Sequence, residues 1–292
     1  ELLGNELSRN QVKDLIKSGD ILINDEQCKP KDKVCHNDQI YVSIPDTEVS
    51  SWTGEDINLD IIFACDDYAI INKSAGIVMH PGAGVKSGTL ANAVATIYPE
   101  VLSLPRNGIV HRLDKDTSGL VVIARNNGFR NHIAEQFQNR RVEKKYLAVI
   151  KGEILGALTI DKSIARDRHN RTKMKVDESG REAISEAISL ESFGGYSLVE
   201  VKIETGRTHQ IRVHLSSNKT PIIGDKAYGS GSQLIKNLSD NLKDKILSFP
   251  RQALHAYQLA FFDASNDMQT YKSDLPDDML SLIESLKCNE NA

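Results

Sequence analysis

Two segments of this 292-residue chain carry enough reactive side chains at close spacing to suggest chemistry. The first is His111-Arg112-Leu113-Asp114-Lys115-Asp116-Thr117-Ser118-Gly119-Leu120. It sets charge directly ahead of an apolar run, so its carboxylates fall at a strand entrance rather than in mid-core. The second is Thr205-Gly206-Arg207-Thr208-His209-Gln210-Ile211-Arg212-Val213-His214. There a glycine turn feeds a short helix over 209–215 and presents Arg212 one turn after Thr208. Two uses of such groups stay open at this point. An Asp near an Arg is most often a structural ion pair, and it can also be a carboxylate kept ionised for catalysis.

Other chemistries lack their residues. Cys28, Cys35, Cys65 and Cys288 make neither a CxxC pair nor a Cys/His zinc spacing, so no metal is expected. The glycines at 82, 84 and 88 do not follow GxGxxG, and no GK[ST] comes after them, which leaves a tight turn after His80-Pro81. The zinc deaminase signature and the G-x-S-x-G elbow are both missing.

The elements that must position the two segments read as a small leading unit and one large domain. Residues 1–46 open with Ser8 as an N-cap, and Val12, Leu15 and Ile16 give helical spacing up to Gly19. Arg9, Lys13 and Lys17 recur every four residues and so share a helical face. Two short alternating segments follow, around Ile21 and Ile40, separated by the Asn24-Asp25 turn and a loop with Lys29, Lys31 and Lys33. Residues 47–58 are polar and read as a linker, with Trp52 pinning it to a neighbour.

From 59 to 288 strands dominate: 61–64, 69–71, 120–124, 146–150, 183–190, 196–203 and 254–262. Phe129, Ile133 and Phe137 mark an amphipathic helix, and Met279, Leu280, Ile283 and Leu286 a C-terminal one. Many strands with few crossover helices predict an α+β fold with a mixed, largely antiparallel sheet and flanking helices.

With 40% hydrophobic and 26% charged residues the chain can fold as an ordinary globular protein, and no apolar run is long enough to span a bilayer. Unpaired thiols suit a reducing cytoplasm. The net charge of −4 hides an asymmetry: residues 106–181 hold 17 Lys/Arg against 9 Asp/Glu. A basic block in an acidic chain suits a polyanion, though a solvated face would look the same.

The two reactive segments, HRLDKDTSGL and TGRTHQIRVHL, resemble those of the RluA/RluD-type pseudouridine synthases. So do Asn72-Lys73 with Gly76, His80-Pro81-Gly82, Gly88-Thr89-Leu90, Glu143-Lys144-Lys145-Tyr146, Gly224-Asp225 with Tyr228-Gly229, and Arg251-Gln252-Ala253-Leu254-His255-Ala256. Arg168-His169, Arg171 and Lys173-Met174 are closest to the RluD branch, and residues 1–46 resemble its alpha-L RNA-binding module without the opening residues. Ser74 stands where the family usually has Pro, and Phe262-Asp263 where it usually has His-Pro.

The resemblance implies isomerisation of uridine to pseudouridine in structured RNA, with ribosomal RNA or a ribosomal precursor particle as partner. It implies no metal, no redox cofactor is needed for such an isomerisation, and no membrane or required protein partner is evident. The base would leave the ribose through nitrogen 1, turn, and rejoin through carbon 5. Asp114 would be the catalytic carboxylate, Arg212 the guanidinium that keeps it charged, and Tyr146 the ring that stacks on uracil. Arg112 would fill the stack left by the extruded base, and Ile211 would be an apolar wall. Arg168, Arg171, Arg9, Lys13 and Lys17 would bind RNA. Asp116, His111 and His209 are read as structural. Two other functions compete: a catalytically silent RNA-binding ribosome-assembly factor, and a glycosylase that admits water and releases free base.

Overall fold

The computed structural model describes residues 9–43, 53–82, 84–229, 234–235 and 238–290; Ser8 and Trp52, each given a role above, lie outside them. The leading unit is a helix α1 (Arg9–Ser18) followed by strands β1 (Ile21–Ile23), β2 (Glu26–Gln27) and β3 (Ile40–Val42) in the order β2-β1-β3. Asn24 and Asp25 take left-handed backbone angles at the β1–β2 turn, as a two-residue hairpin of this kind demands. Lys13, Lys17 and the three loop lysines are exposed.

The remainder is built on one twisted sheet. Its strands are β4 (Asp60–Ala64), β5 (Tyr68–Lys73), β6 (Ser118–Ala124), β7 (Glu143–Lys151), β8 (Ala157–Asp161), β11 (Ile184–Ser192), β12 (Tyr196–Ile203), β13 (Leu254–Phe262) and β14 (Met268–Lys272). Between β8 and β11 a separate hairpin is formed by β9 (Ile164–Arg166) and β10 (Met174–Val176). The sheet runs β4-β5-β6-β13-β7-β12-β11-β8, with β14 on the far half of β13. Every pairing is antiparallel except β6 with β13, which is parallel and covers His255 against Ser118 and Ala256 against Gly119. Mixed, largely antiparallel α+β is therefore the fold.

The helices cover both faces. They are α2 (Leu90–Ile97), α3 (Asn127–Gln138), α4 (Gln210–Ser217), α5 (Asp240–Leu247) and α6 (Asp277–Glu290). Thr89 opens α2 in a capping box with Asn92, and Asn126 caps α3 through the Phe129 amide. Strand β6 is buried along its whole length because alternate residues serve two cores. Val121 and Ile123 pack with Leu90, Val94 and the main core, while Leu120 and Val122 face Phe129 and Ile133 of α3. In α6 the buried stripe is Met279, Leu282, Ile283 and Leu286; Leu280, assigned above to that stripe, is 42% exposed.

Gly119 marks where β6 meets β13. Its φ is +116°, and a Cβ there would sit 2.3 Å from the Ala256 carbonyl oxygen. Only glycine allows the two backbones this close. The strand therefore begins immediately after the Asp114 turn with its neighbour already pressed against it.

Candidate active site

Asp114 sits on the turn that delivers the chain into β6, closed by the Thr117 amide donating to the Asp114 carbonyl at 3.1 Å. Three parts of the molecule hold that turn. Lys73, fully buried at the end of β5, donates to the carbonyls of Ser74, Ile77 and Lys115 at 2.9, 3.0 and 3.0 Å. The Gly76 amide donates to the same Lys115 carbonyl. From the segment before β13, Gln252 reaches the Thr117 hydroxyl and Arg251 the Asp116 carbonyl. Burial pulls the Lys73 ammonium down to about 8, with Asp116 opposing.

Arg212 comes from α4, whose two anchoring residues lie one turn apart on the other side. Gln210 accepts from Thr205 and the Arg207 amide and donates to the Ile184 carbonyl and Ser185. His214 bonds Ser185 and the Lys162 carbonyl. The helix begins at Gln210, one residue later than its sequence suggests. His209 takes φ 56°, ψ 20° instead, a left-handed conformation that few non-glycine residues adopt, histidine among the more frequent of them.

The guanidinium is shared between two carboxylates. Its Nε and one terminal nitrogen donate to Asp225 at 2.7 and 3.0 Å, a two-pronged pair. The other terminal nitrogen donates to Oδ2 of Asp114 at 2.9 Å. Asp225 is buried and also accepts from the amides of Ala227 and Tyr228. Burial alone would raise its pKa, but Arg212 and these amides hold it below the ordinary carboxylate value. Gly224 lets Asp225 approach, because a Cβ there would lie 1.9 Å from the Arg251 carbonyl oxygen.

Asp114 opens on a cleft of about 670 Å³ lined by Leu113, Tyr146, Ile211, Leu254, His209 and Arg112 among others. Tyr146, on β7, is 7% exposed and makes no hydrogen bond to the described residues through its hydroxyl. Burial and the Asp114 charge together raise its pKa, so it stays a neutral ring. Ile211 is 5% exposed and supplies an apolar side. Arg112 is exposed at the mouth and makes no ion pair with a described carboxylate, so its guanidinium is available to a ligand. A second cavity, about 440 Å³, shares Arg112, Asp114, His209 and Arg212 and continues toward His80 and Gln252.

The structure thus gathers Asp114, Arg212, Tyr146, Ile211 and Arg112 around one concavity. It does not bring in Arg168 and Arg171. These are exposed on the β9–β10 hairpin and are absent from the cleft lining. That segment forms a turn in which Asp167 accepts from the His169 and Asn170 amides. The basic block is also divided. Arg106, Arg112, Arg140 and Lys144 line the cleft, while Arg125 and Lys145 are bound to Glu100 and Glu200. Arg207, outside the block, joins the cleft.

His209 lies at the centre of the site. Read above as structural, it lines both cavities, with Nε2 3.9 Å from Oδ1 of Asp114. His111, also read above as structural, lines the first cavity too. Its Nε2 accepts from the Val122 amide at 3.0 Å, its ring stacks on Phe137, and burial pulls its pKa down to about 3. Asp225, Tyr228 and Lys73 escaped the sequence reading of the site. The one signal for them was membership in matched segments to which no role was attached. Among the described residues no group of three or more His, Cys, Asp or Glu could hold a metal ion.

One carboxylate beside a guanidinium, in a cleft with an aromatic side and a basic mouth, on this mixed sheet, is the arrangement expected above of a pseudouridine synthase. The chain belongs to the RNA pseudouridylate synthase family, whose model matches residues 67–217. Residues 2–40 match the S4 domain. Over 283 residues the chain is 38% identical to the ribosomal large subunit pseudouridine synthase D of Xanthomonas campestris pv. campestris, covering 97% of this chain and 86% of that protein. The protein of the same description from Escherichia coli K12 is 36% identical over 286 residues, covering 97% and 88%. Among solved structures, human RNA pseudouridylate synthase domain containing 4 superposes with a TM-score of 0.61 at 25% identity, over 78% of this chain and 93% of that one. The enzyme therefore isomerises uridine to pseudouridine in RNA, and the leading unit is an RNA-binding S4 domain.

Proposed function

We propose that the enzyme acts on uridine in large-subunit ribosomal RNA in the cytoplasm, with Asp114 as its catalytic carboxylate. The observation that carries this reading is the division of labour at Asp114. Oδ2 is held by Arg212 at 2.9 Å, while Oδ1 has no hydrogen-bond partner among the described residues and faces the cleft. A carboxylate fixed at one oxygen and open at the other can act on a ribose as its base departs. The likeness over 97% of the chain to proteins described as ribosomal large subunit pseudouridine synthase D supports the RNA class.

A uridine inside folded RNA must leave its stack to reach Asp114. Arg112, a flat cation at the mouth, takes the vacated place and meets the adjoining phosphate. Tyr146 and Ile211 hold the detached uracil while it turns from nitrogen 1 to carbon 5. The carbon 5 proton is given up and nitrogen 1 gains one, so no atom is lost overall. The apolar side chains of Leu113, Ile211 and Leu254 in the lining restrain water, and one carboxylate suffices where a hydrolase would pair two. Domain limits of 1–46, 47–58 and 59–288 go with this reading, with α1 and its lysines gripping phosphate.

The test is incubation of unmodified large-subunit ribosomal RNA with the wild type and Asp114→Asn, reading pseudouridine by carbodiimide mapping and free uracil in the supernatant. Pseudouridine with the wild type alone, and no free uracil, is the expected result. Product formed by Asp114→Asn would overturn the assignment. RNA bound without product would favour an assembly factor, and released uracil a glycosylase.

A further inference from the structure

A three-group chain ends beside the open oxygen of Asp114. The Met174 amide, at the start of β10, donates to the Tyr228 hydroxyl at 2.7 Å. That hydroxyl lies 2.7 Å from Nδ1 of His209. Its own proton needs an acceptor, and Nδ1 is the only acceptor recorded for it among the described residues. If Tyr228 donates to Nδ1, then Nδ1 is bare, and the neutral ring carries its proton on Nε2. Nε2 is the atom that faces Asp114, 3.9 Å from Oδ1.

We propose that Tyr228 is a positioning residue that fixes His209 as its Nε2–H form, so that His209 presents an uncharged donor to the nucleoside at Asp114. This rests on the reading of Asp114 as the catalytic carboxylate. The spacing is suggestive in itself. At 3.9 Å the imidazole and Oδ1 are too far apart to bond each other, yet an oxygen of the nucleoside can lie within hydrogen-bond reach of both. A hydroxyl there would accept from Nε2 and donate to Oδ1. A second cation at this position would compete with Arg212 for the carboxylate, whereas a neutral donor leaves the charge to act.

Two further features agree. His209 holds its left-handed backbone conformation at the N-terminus of α4, and strain of this kind persists where surrounding structure enforces it, often at functional sites. The charged groups around it are Asp114, Arg212, Asp225 and Arg112. Burial outweighs the attraction of Asp114 and lowers the pKa of the ring, so it stays neutral near pH 7. Tyr228 is itself fixed, with Arg212 over its ring at 5.0 Å and its amide bound to Asp225.

The tautomer can be read without substrate. In the full chain labelled with 15N-histidine, long-range 1H–15N correlations report which ring nitrogen carries the proton, with the His209 signals assigned by their loss in His209→Gln. The wild type is expected to give Nε2–H, and Tyr228→Phe a mixture of the two forms. In single-turnover assays on large-subunit ribosomal RNA, Tyr228→Phe should lower the rate at saturation about tenfold, the worth of one hydrogen bond, with half-saturation unchanged. His209→Gln, which can place an amide donor near the Nε2 position, should keep more of the rate than His209→Asn, which tolerates the backbone but reaches only Nδ1. An Nδ1–H ring in the wild type, or full rates in both Tyr228→Phe and His209→Asn, would overturn the proposal. Should Tyr228→Phe fail to fold, the wild-type tautomer and the His209 pair decide. Product from Asp114→Asn would sink the underlying assignment instead, and would leave the tautomer result standing.

Discussion

Arg212 gives its two-pronged edge to Asp225, not to Asp114. The buried carboxylate fixes the guanidinium in the fold, and the remaining nitrogen is left to orient the carboxylate in the cleft. Asp225→Asn should therefore damage stability and rate together. Breaking a buried pair of this kind costs about 3–5 kcal/mol, read as a lowered urea midpoint. Arg212→Lys keeps the charge but cannot serve both carboxylates in this geometry, so its rate should stay near background. Wild-type stability in Asp225→Asn would show that Asp225 does not anchor Arg212.

Lys73 is a second anchor, placed beneath the turn rather than beside it. Lys73→Met fills similar space but leaves the Ser74, Ile77 and Lys115 carbonyls short of a donor. The expected loss is about 3 kcal/mol of stability, with the rate lowered because the Asp114 turn loosens. Equilibrium urea unfolding with matched single-turnover assays checks both parts.

Acid stability should carry the mark of His111. Its folded pKa is lowered from 6.5 to about 3. Below pH 6.5 the unfolded chain takes up a proton that the native ring refuses, so stability falls as pH drops from 6.5 toward 3 and this contribution is constant above 6.5. The slope from one such group is at most about 1.4 kcal/mol per pH unit. His111→Gln, whose amide oxygen can still accept from Val122, should flatten that part of the curve in urea titrations run at several pH values.

Arg168 and Arg171 stand on a hairpin outside the cleft, and the RNA-binding role expected of them predicts an effect on affinity. Replacing both with Ala should make the dependence of RNA affinity on log salt shallower by about 1–2, since each lost phosphate contact removes about 0.7–0.9. The rate at saturating RNA should hold. A variant with the wild-type salt slope would remove the hairpin from the RNA contact.

Some of this was legible before any coordinates. Asp114 and Arg212 stood out because their segments pack charge against an apolar strand and a helix turn, and β12 and β13 have the limits their apolar patterns suggest. Other features had no such signal. Asp225 sits in a loop, and only the folded chain reveals that it takes the larger share of Arg212. The β9 and β10 strands have only three residues each, too few for strand periodicity to register. His209 shows no unusual composition; its place depends on one backbone angle and on the Tyr228 hydroxyl. The β6–β13 pairing rests on two residue pairs far apart in the chain, and local pattern carries no information about it.

That late pairing sets the order in which the enzyme can come alive. Both Asp114 and Arg212 are synthesised well before β13, yet the slot between β6 and β7 stays empty until that strand is made. A nascent polypeptide emerging from the exit tunnel thus lacks the seam against which its reactive turn is set. An unfinished chain has Asp114 and Arg212 but not the strand that backs the Asp114 turn.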